Sequence, residues 1–482
     1  MVPFITGHYE HRSHSVGVTR TVNLYPEVTQ GGDSAKSRVI LIGTPGSAVE
    51  SDLSSISTYG CRGLHYTADS RLFSIYGGSL IEITSDGNSI ERAKVTNLPE
   101  SPVYFADDGT SLLWADGVSL RGFSLETNSY FHIAFPVEDY RPSQIVYVGS
   151  RFVVIDGTTN TYYYSEVADP RDWRALNSAT AQQNADPIMS IVATQSEIWL
   201  MGEQSYEVHR LSANVNLPYQ YAGGSASNIG CGAARSVAVL NNTVFFLGGS
   251  TNGTGTIYAS NGYNVNRISN HAIEYAIGKV ADTRDAVGFT YTQEGHQFYV
   301  LTFMSGDKTI VYDLTTGMFH ERATRDALLN IDHRWAPIYA AFAYGNTFVG
   351  NLLEPQLMSL SLDKYSEWDD RPIVRTHQSP IYWDDLRLAF HREFQLDIET
   401  GIGTINGQGI NPQVSLQYSD DAGNTWSSEL WTSIGTLGAY QVRCRWRRLG
   451  RSRDRVYRVV ISDPVKVILL GAKLIADPER RR

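Results

Sequence analysis

The stretch RLFSIYGGSLIEITSDG (71–87) decides how this chain is read. Apolar, aromatic and β-branched residues fill two short runs, separated by a Gly-Gly pair and closed by Ser-Asp-Gly. Glycine supplies the positive φ of a tight hairpin turn, and side chains branched at Cβ suit a half-buried pleated surface. The segment is predicted to be a β-hairpin. The same texture returns in SLLWADGVSLRGFSL (111–125), RFVVIDGTTNTYYYSEV (151–167), EIWLMGEQSYEVHRL (197–211), VFFLGGSTNGTGTIYAS (244–260), QFYVLTFMSGDKTIVYDL (297–314) and TFVGNLLEPQLMSLSL (347–362). The seven starts lie roughly 35–55 residues apart, the interval of propeller blades. Apolar runs such as PVYFADD (102–108), PSQIVYVG (142–149) and PIMSIVAT (187–194) precede the hairpins, and less regular segments suited to edge strands follow them. One such sheet cannot bury both of its faces, whereas a ring of them can. Residues 60–366 are therefore predicted to form a β-propeller, with seven blades preferred and six or eight open. The best helical candidate is short, TRDALLNI (324–331), and is expected at the surface.

Outside this region the pattern changes. The charged, proline-containing EWDDRPIVRTHQSP (367–380) is read as a linker. Beyond it, RLAFHREFQLDIETGIG (387–403), PQVSLQYSDD (412–421), VRCRWRRLG (442–450) and RVYRVVISDPVKVILLGAKLIA (455–476) alternate inward and outward side chains, predicting a β-sandwich over 381–482. The N-terminal arm, residues 1–59, carries TRTVNLYPEV (19–28) and RVILIGTPGSAV (38–49), expected as strands outside the propeller that pair with the C-terminal sheet. The predicted fold class is all-β: a propeller with a C-terminal sandwich platform joined by N-terminal strands.

Composition agrees, with 42 Gly and 28 Tyr against 6 Met in 482 residues. Cys61, Cys231 and Cys444 are widely spaced and suggest neither a disulfide framework nor a zinc site, as expected for a reducing compartment. The opening MVPFITGHYEH has no apolar core of a signal peptide, and the longest apolar run, near 465–472, is far short of a bilayer span. A soluble protein made in a cytoplasm, without membrane insertion, is expected. Net charge is −10, unevenly spread: residues 440–482 hold 13 Lys/Arg against 4 Asp/Glu, a balance of +9 that leaves −19 for the rest. One end is thus suited to an acidic partner.

Ser419, Asp421, Gly423, Thr425 and Trp426 in SDDAGNTWS (419–427) match an Asp-box, in which Asp caps amides, Gly turns the chain and Trp packs beneath. Asp-boxes occur in sialidases, so a propeller glycosidase with an appended sandwich is the alternative function. It would need several such boxes and paired carboxylates at blade edges, and the sequence has one box, outside the propeller. In VRCRWRRLGRSRDRVYR (442–458), Arg443, Arg445, Arg447, Arg448, Arg451, Arg453, Arg455 and Arg458 form the candidate contact surface. Strand alternation would put the first three on one side. Docking of a carboxylate-bearing partner or subunit is the preferred role, direct DNA contact the second, and a solvated face the third. His8, His11 and His14 with Glu10 look metal-like but lack a scaffold, and turns such as ADDG (106–109) lack enough calcium ligands. No catalytic set, cofactor or metal is expected.

Three stretches resemble the packaged-DNA stabilisation proteins, the tail hub or nozzle proteins of short-tailed double-stranded-DNA bacteriophages. They are RTVNLYPEV (20–28) with LIGTPGS (41–47); YYYSEVADPRDWRALNSATAQQNADPI (162–188); and VSLQYSDDAGNTWS (414–427) with RRLGRSRDRVYRVVISDPVKVILLGA (447–472). The resemblance spans most of the chain and implies a structural virion protein of the viral tail, made in the bacterial host. It further implies a homo-oligomeric ring, of six copies, attached below the portal and its head–tail adaptor. Packaged double-stranded DNA would be held in its channel behind a needle or plug until DNA ejection, with tail fibres or spikes docked outside.

Overall fold

A computed structural model of the chain describes residues 4–29, 37–94, 101–184, 186–214, 217–249, 255–326, 328–385 and 387–478. Each of the seven sequence hairpins supplies the two middle strands of one antiparallel sheet. The pairs are Leu72–Tyr76 with Ser79–Ile83, Ser111–Ala115 with Leu120–Ser124, Arg151–Ile155 with Thr161–Glu166, Glu197–Gly202 with Tyr206–Leu211, Thr243–Gly249 with Thr256–Asn261, His296–Phe303 with Lys308–Asp313, and Asn346–Asn351 with Gln356–Ser361. The middle strands of the first, second and third sheets include Leu72–Tyr76, Ser111–Ala115 and Arg151–Ile155, buried along their whole length, as expected for strands covered on both faces.

A separate apolar cluster fills every gap between successive blades. Across the successive gaps, one cluster holds Phe73 and Trp114, the next Leu113 and Phe152, and the others Tyr162 and Leu200, Trp199 and Phe246, Phe245 and Tyr299, Phe298 and Trp335, and Tyr76 and Phe348. The last pair joins blade 7 to blade 1, so the ring is closed with seven blades. Closure uses an element from the N-terminal arm. Gly46–Asp52 pairs antiparallel with Gln356–Ser361 as the outer strand of blade 7. That part of the arm therefore belongs to the propeller, contrary to the expectation for 38–49, because the free edge of the last blade is satisfied by the strand that immediately precedes the first.

At this closure Gly60 passes over the turn of blade 7. A Cβ there would lie 2.1 Å from the Leu352 carbonyl oxygen and 2.4 Å from that of Asn351, and neither backbone group can yield easily. Gly60→Ala is expected to lower stability by about 2–3 kcal/mol, read as a shift in denaturant midpoint; an unchanged midpoint would show that the closure is looser than drawn.

The C-terminal region packs two sheets face to face. One contains Arg375–Gln378, Asp454–Ile461, Gln413–Ser419 and Leu430–Ser433; the other contains Leu24–Val28, Val39–Gly43, Ile468–Pro478, Ala389–Ile398 and Cys444–Arg447. Phe394, Leu396, Leu416, Trp446, Tyr457, Val459 and Leu469 fill the space between them, together with Phe4, Ile5, Leu24 and Leu41 from the N-terminal arm. The segment expected as a linker is instead a seam. Thr21–Val22 pairs with Glu321 of blade 6 on one side and with Thr376 and His377 on the other, so propeller and sandwich share one hydrogen-bonded sheet. Glu367 is buried and accepts from Ser47 Oγ at 2.9 Å, so the polar composition of 367–380 reflects an interior ionic site as well as surface.

The short helix expected at 324–331 is absent. Met318–Asp326 pairs with Ile331–Arg334, the Asp326 carboxylate accepts from the amides of Leu328 and Leu329 at 2.8 and 2.9 Å, and Asn330 takes φ +56°. The turn chemistry of Asp and Asn outweighs the helical spacing of the leucines. The α-helix among the described residues is His271–Gly278, capped by Asn270, whose side chain accepts from Ile273 N at 2.9 Å.

Candidate docking platform

The seam fixes where the platform sits relative to the ring. Asn23 is buried, with φ +55°, a conformation that Asn tolerates better than most residues. Its Nδ2 donates to the carbonyls of Ala323 at 2.9 Å and Val374 at 3.0 Å, and its Oδ1 accepts from Ala323 N at 2.9 Å. One amide side chain thereby ties blade 6, the N-terminal arm and the sandwich together. Beside it, Thr21 Oγ1 and His377 Nδ1 are 3.0 Å apart, and His377 Nε2 meets the Phe4 carbonyl at 3.0 Å. Glu321 is buried between Arg20, 2.8 Å from Oε2, and Lys308, 2.6 Å from Oε1, with His8 at 3.5 Å. Its carboxyl is held well below the usual range against the penalty of burial, by Arg20 first and by His8 and Lys308.

The same network includes one of the three N-terminal histidines, His8, and the nearby Glu10. His8, Glu10 and Glu321 do converge, with ligand atoms within 4.8 Å of one another. Yet Glu321 already faces two permanent cations, which oppose a metal ion. His11 engages Ser13, and His14 lies 3.5 Å from Glu10. Glu321, more than three hundred residues away in sequence, could not have been paired with His8 by motif reading.

The eight arginines divide. Cys444–Arg447 is the edge strand of its sheet, with Cys444 and Trp446 buried and Arg445 and Arg447 exposed; Arg443, just before the strand, is exposed in phase with them. The register places Arg445 beside Gln395, itself beside Lys473, and Arg447 beside Glu393. Arg447 Nε donates to Glu393 Oε2 at 2.7 Å, and this bond holds the Glu393 carboxyl below its ordinary value. Arg448 turns the chain at φ +59°, and Arg451 and Arg453 are exposed. Arg455 and Arg458 are engaged internally. Arg455 is buried over the Tyr418 ring, bidentate to Asp420 at 2.6 and 2.8 Å, and donates to the Leu449 carbonyl. Arg458 stacks on Trp426 at 3.9 Å and binds Gln417. A strand pattern shows which arginines share a side, but not that Asp420 and Trp426, in a turn far earlier in the sequence, will fold back over two of them. Arg480, Arg481 and Arg482 lie outside the described residues.

That turn is the Asp-box. Asp421 accepts from Thr425 N at 2.8 Å and Thr425 Oγ1 at 2.6 Å, Ser419 Oγ donates to Asp421, and Gly423 takes φ +88°. The Thr425 bonds push the Asp421 carboxyl down to about 2. The side chains of Ser419, Asp421 and Thr425 are spent on closing the turn, and Trp426 is clamped by Arg458. In the stretch from Ser165 to Trp173 the strand Thr161–Glu166 turns at Val167 and Ala168 into Asp169–Thr180, and Trp173 is buried with its Nε1 donating to the Pro170 carbonyl at 2.9 Å.

A family model described as bacteriophage P22 Gp10, β-propeller, matches residues 1–365, and one described as bacteriophage P22 Gp10, β-sandwich, matches 375–476. The chain belongs to this family. It is a phage structural protein that stabilises packaged DNA, associated with the virion, and not an enzyme. The glycosidase alternative is thereby set aside. No curated protein matches by sequence. Similar solved structures include virginiamycin B lyase from Staphylococcus aureus, at 11% identity and TM-score 0.44, covering 64% of this chain and 96% of that one. Another is a chain of a mitotic checkpoint complex, at 10% identity and TM-score 0.42, covering 70% and 96%. No helix among the described residues is long and apolar enough to cross a membrane.

Proposed function

We propose that this Gp10-family protein is the tail hub, or nozzle, of a short-tailed phage. Several copies, six by the family resemblance, form a closed ring below the portal–adaptor complex, with the sandwich as the platform that meets the adaptor. The propeller projects from it as the tail body, offering sites to tail fibres or spikes, and the channel is closed by a needle or plug until ejection. The observation that supports this reading best is the seam: a sheet shared by blade 6 and the sandwich, pinned by Asn23 and Glu321, makes one stiff two-lobed body. A hub that holds DNA under pressure needs such stiffness, since a hinge between its lobes would let the platform peel away contact by contact. Identical contacts repeated around a ring release together or not at all, which slows detachment far beyond that of one contact.

On this reading the exposed arginines contact acidic groups of the adaptor, a neighbouring copy or DNA. Changing Arg447, Arg448 and Arg451 together to Gln should leave thermal stability nearly unchanged, because exposed charges of this kind contribute little to folding. DNA-filled heads completed with the variant should leak their DNA. A fully sealed head would overturn the placement of the platform.

A further inference from the structure

Above the arginine edge the sandwich ends in two glycine-rich loops, 399–412 and 434–443, that are tied to each other. Gly438 N donates to the Gly401 carbonyl at 3.1 Å and Thr400 Oγ1 to the Tyr440 carbonyl at 2.9 Å, while within the first loop Thr404 N donates to the Gly409 carbonyl at 2.9 Å. The Tyr440 ring lies so close over Gly401 that a Cβ there would be 2.6 Å from it. These bonds hold a set of apolar side chains out in solvent: Ile405 is 78% exposed, Tyr440 73% and Leu437 58%. Clustered apolar groups on an ordered support mark a binding surface far more often than groups scattered singly.

Chain continuity places this tip next to the edge strand. Tyr440 is followed after two residues by Arg443, and Cys444–Arg447 then pairs on one side only, with Ala389–Ile398; among the described residues no strand covers its other side. Three features therefore meet within a few residues: an open strand edge, the exposed cations Arg443 and Arg445, and a rigid apolar tip. We infer that this end of the sandwich binds an extended, acidic segment of a different protein, which adds to the sheet alongside Cys444–Arg447 and seats an apolar residue on Leu437 and Tyr440.

Each feature selects against another occupant. An open edge offers main-chain hydrogen bonds to a strand, with alternate side chains setting specificity. Nucleic acid brings no extended peptide backbone to pair with the open edge of Cys444–Arg447, and it leaves the apolar tip without a partner. A second copy of this chain is poorly placed to supply the acidic strand. Its densest acidic run, Glu367–Asp370, is held in a tight turn rather than extended: Glu367 N donates to the Arg371 carbonyl and Asp370 N to the Glu367 carbonyl, Glu367 is buried against Ser47, and the exposed Asp369 is paired with Arg371. The inference deepens the platform reading and rests on it for its place in the virion.

The test uses the full chain and a synthetic peptide of alternating Glu and Val ending in Leu-Phe, with a Lys-for-Glu version and a short DNA duplex as comparisons. The acidic peptide should bind and slow amide hydrogen exchange across Cys444–Arg447. The double change Arg443→Gln, Arg445→Gln should weaken binding about tenfold or more, as should Leu437→Ser with Tyr440→Ser, without moving the melting temperature. Peptide binding without protection of those amides, equal binding of the Lys version, protection by the duplex instead, or protection produced by self-association would each overturn the inference. Leaking heads from a variant that still binds the peptide would point to the platform's other contacts. Sealed heads from a variant that no longer binds it would sink the acidic strand as the partner there.

Discussion

Asn23→Ala is expected to cost about 3–6 kcal/mol of stability, more than most single changes outside the core. The argument counts three backbone groups. The Ala323 amide, the Ala323 carbonyl and the Val374 carbonyl all meet the Asn23 side chain in a buried seam, and each would lose its partner where water cannot easily replace it. An orphaned buried group costs about 1–3 kcal/mol. Alanine is also strained at φ +55°, by about 1–2 kcal/mol. Asn23→Gly separates the two contributions, since glycine relieves the strain and still loses the bonds, so it should be intermediate. The measurement is urea unfolding followed by amide hydrogen exchange, with His296–Phe303 reporting on the propeller and Asp454–Ile461 on the sandwich. In the parent both should report one transition; in Asn23→Ala the two should separate. A shift below about 1 kcal/mol with a single transition would show that the lobes are held elsewhere.

Acid should destabilise the protein strongly between pH 6.5 and 4, through histidines buried neutral at the seam and in the sandwich. Burial pushes His377 and His391 down to about 4 and His320 to about 3. Burial also lowers His8 despite the attraction of Glu321. His391 sits between Ser452 and Tyr457, and both ring nitrogens of His320 lack a hydrogen-bond partner. A histidine whose folded value is depressed binds its proton more readily when unfolded. Stability is therefore full above the unfolded value of 6.5 and is lost as the pH falls toward 4. Each such group contributes about 1.4 kcal/mol per pH unit in that window. His296 works in the opposite direction: its bond to Asp313 raises its value, giving stability that is present below 6.5 and fades as the pH rises through the folded value. Allowing for it, the loss from pH 6.5 to 5 should be on the order of 4–6 kcal/mol. Urea midpoints at pH 7.5, 6 and 5 would show it, and His377→Asn should flatten the slope by about one proton. A midpoint that does not move over this range would refute the account.

The seven hairpins and the sandwich strands were legible in the sequence because their information is local. A period of two, glycine at the turns and an apolar run of four to eight residues are properties of neighbours along the chain, and seven repeats of one unit leave a closed ring as the natural way to bury every face. The Asp-box and the phase of Arg443, Arg445 and Arg447 were legible for the same reason. The helix expected at 324–331 failed because leucine spacing was weighed above the hydrogen-bonding habits of Asp326 and Asn330.

What the sequence by itself determined was thus the kind of element at each place, the number of blades it favoured, and which end carries the positive charge. Tertiary structure alone decided that Gly46–Asp52 closes the ring, that 367–380 is a seam, that Arg455 and Arg458 serve the interior, and that His8 meets Glu321. Each of these joins residues far apart along the chain. Burial sets the energy of such a meeting, because an ion or amide that costs little in water becomes decisive once water is removed, and only the folded chain defines what is buried.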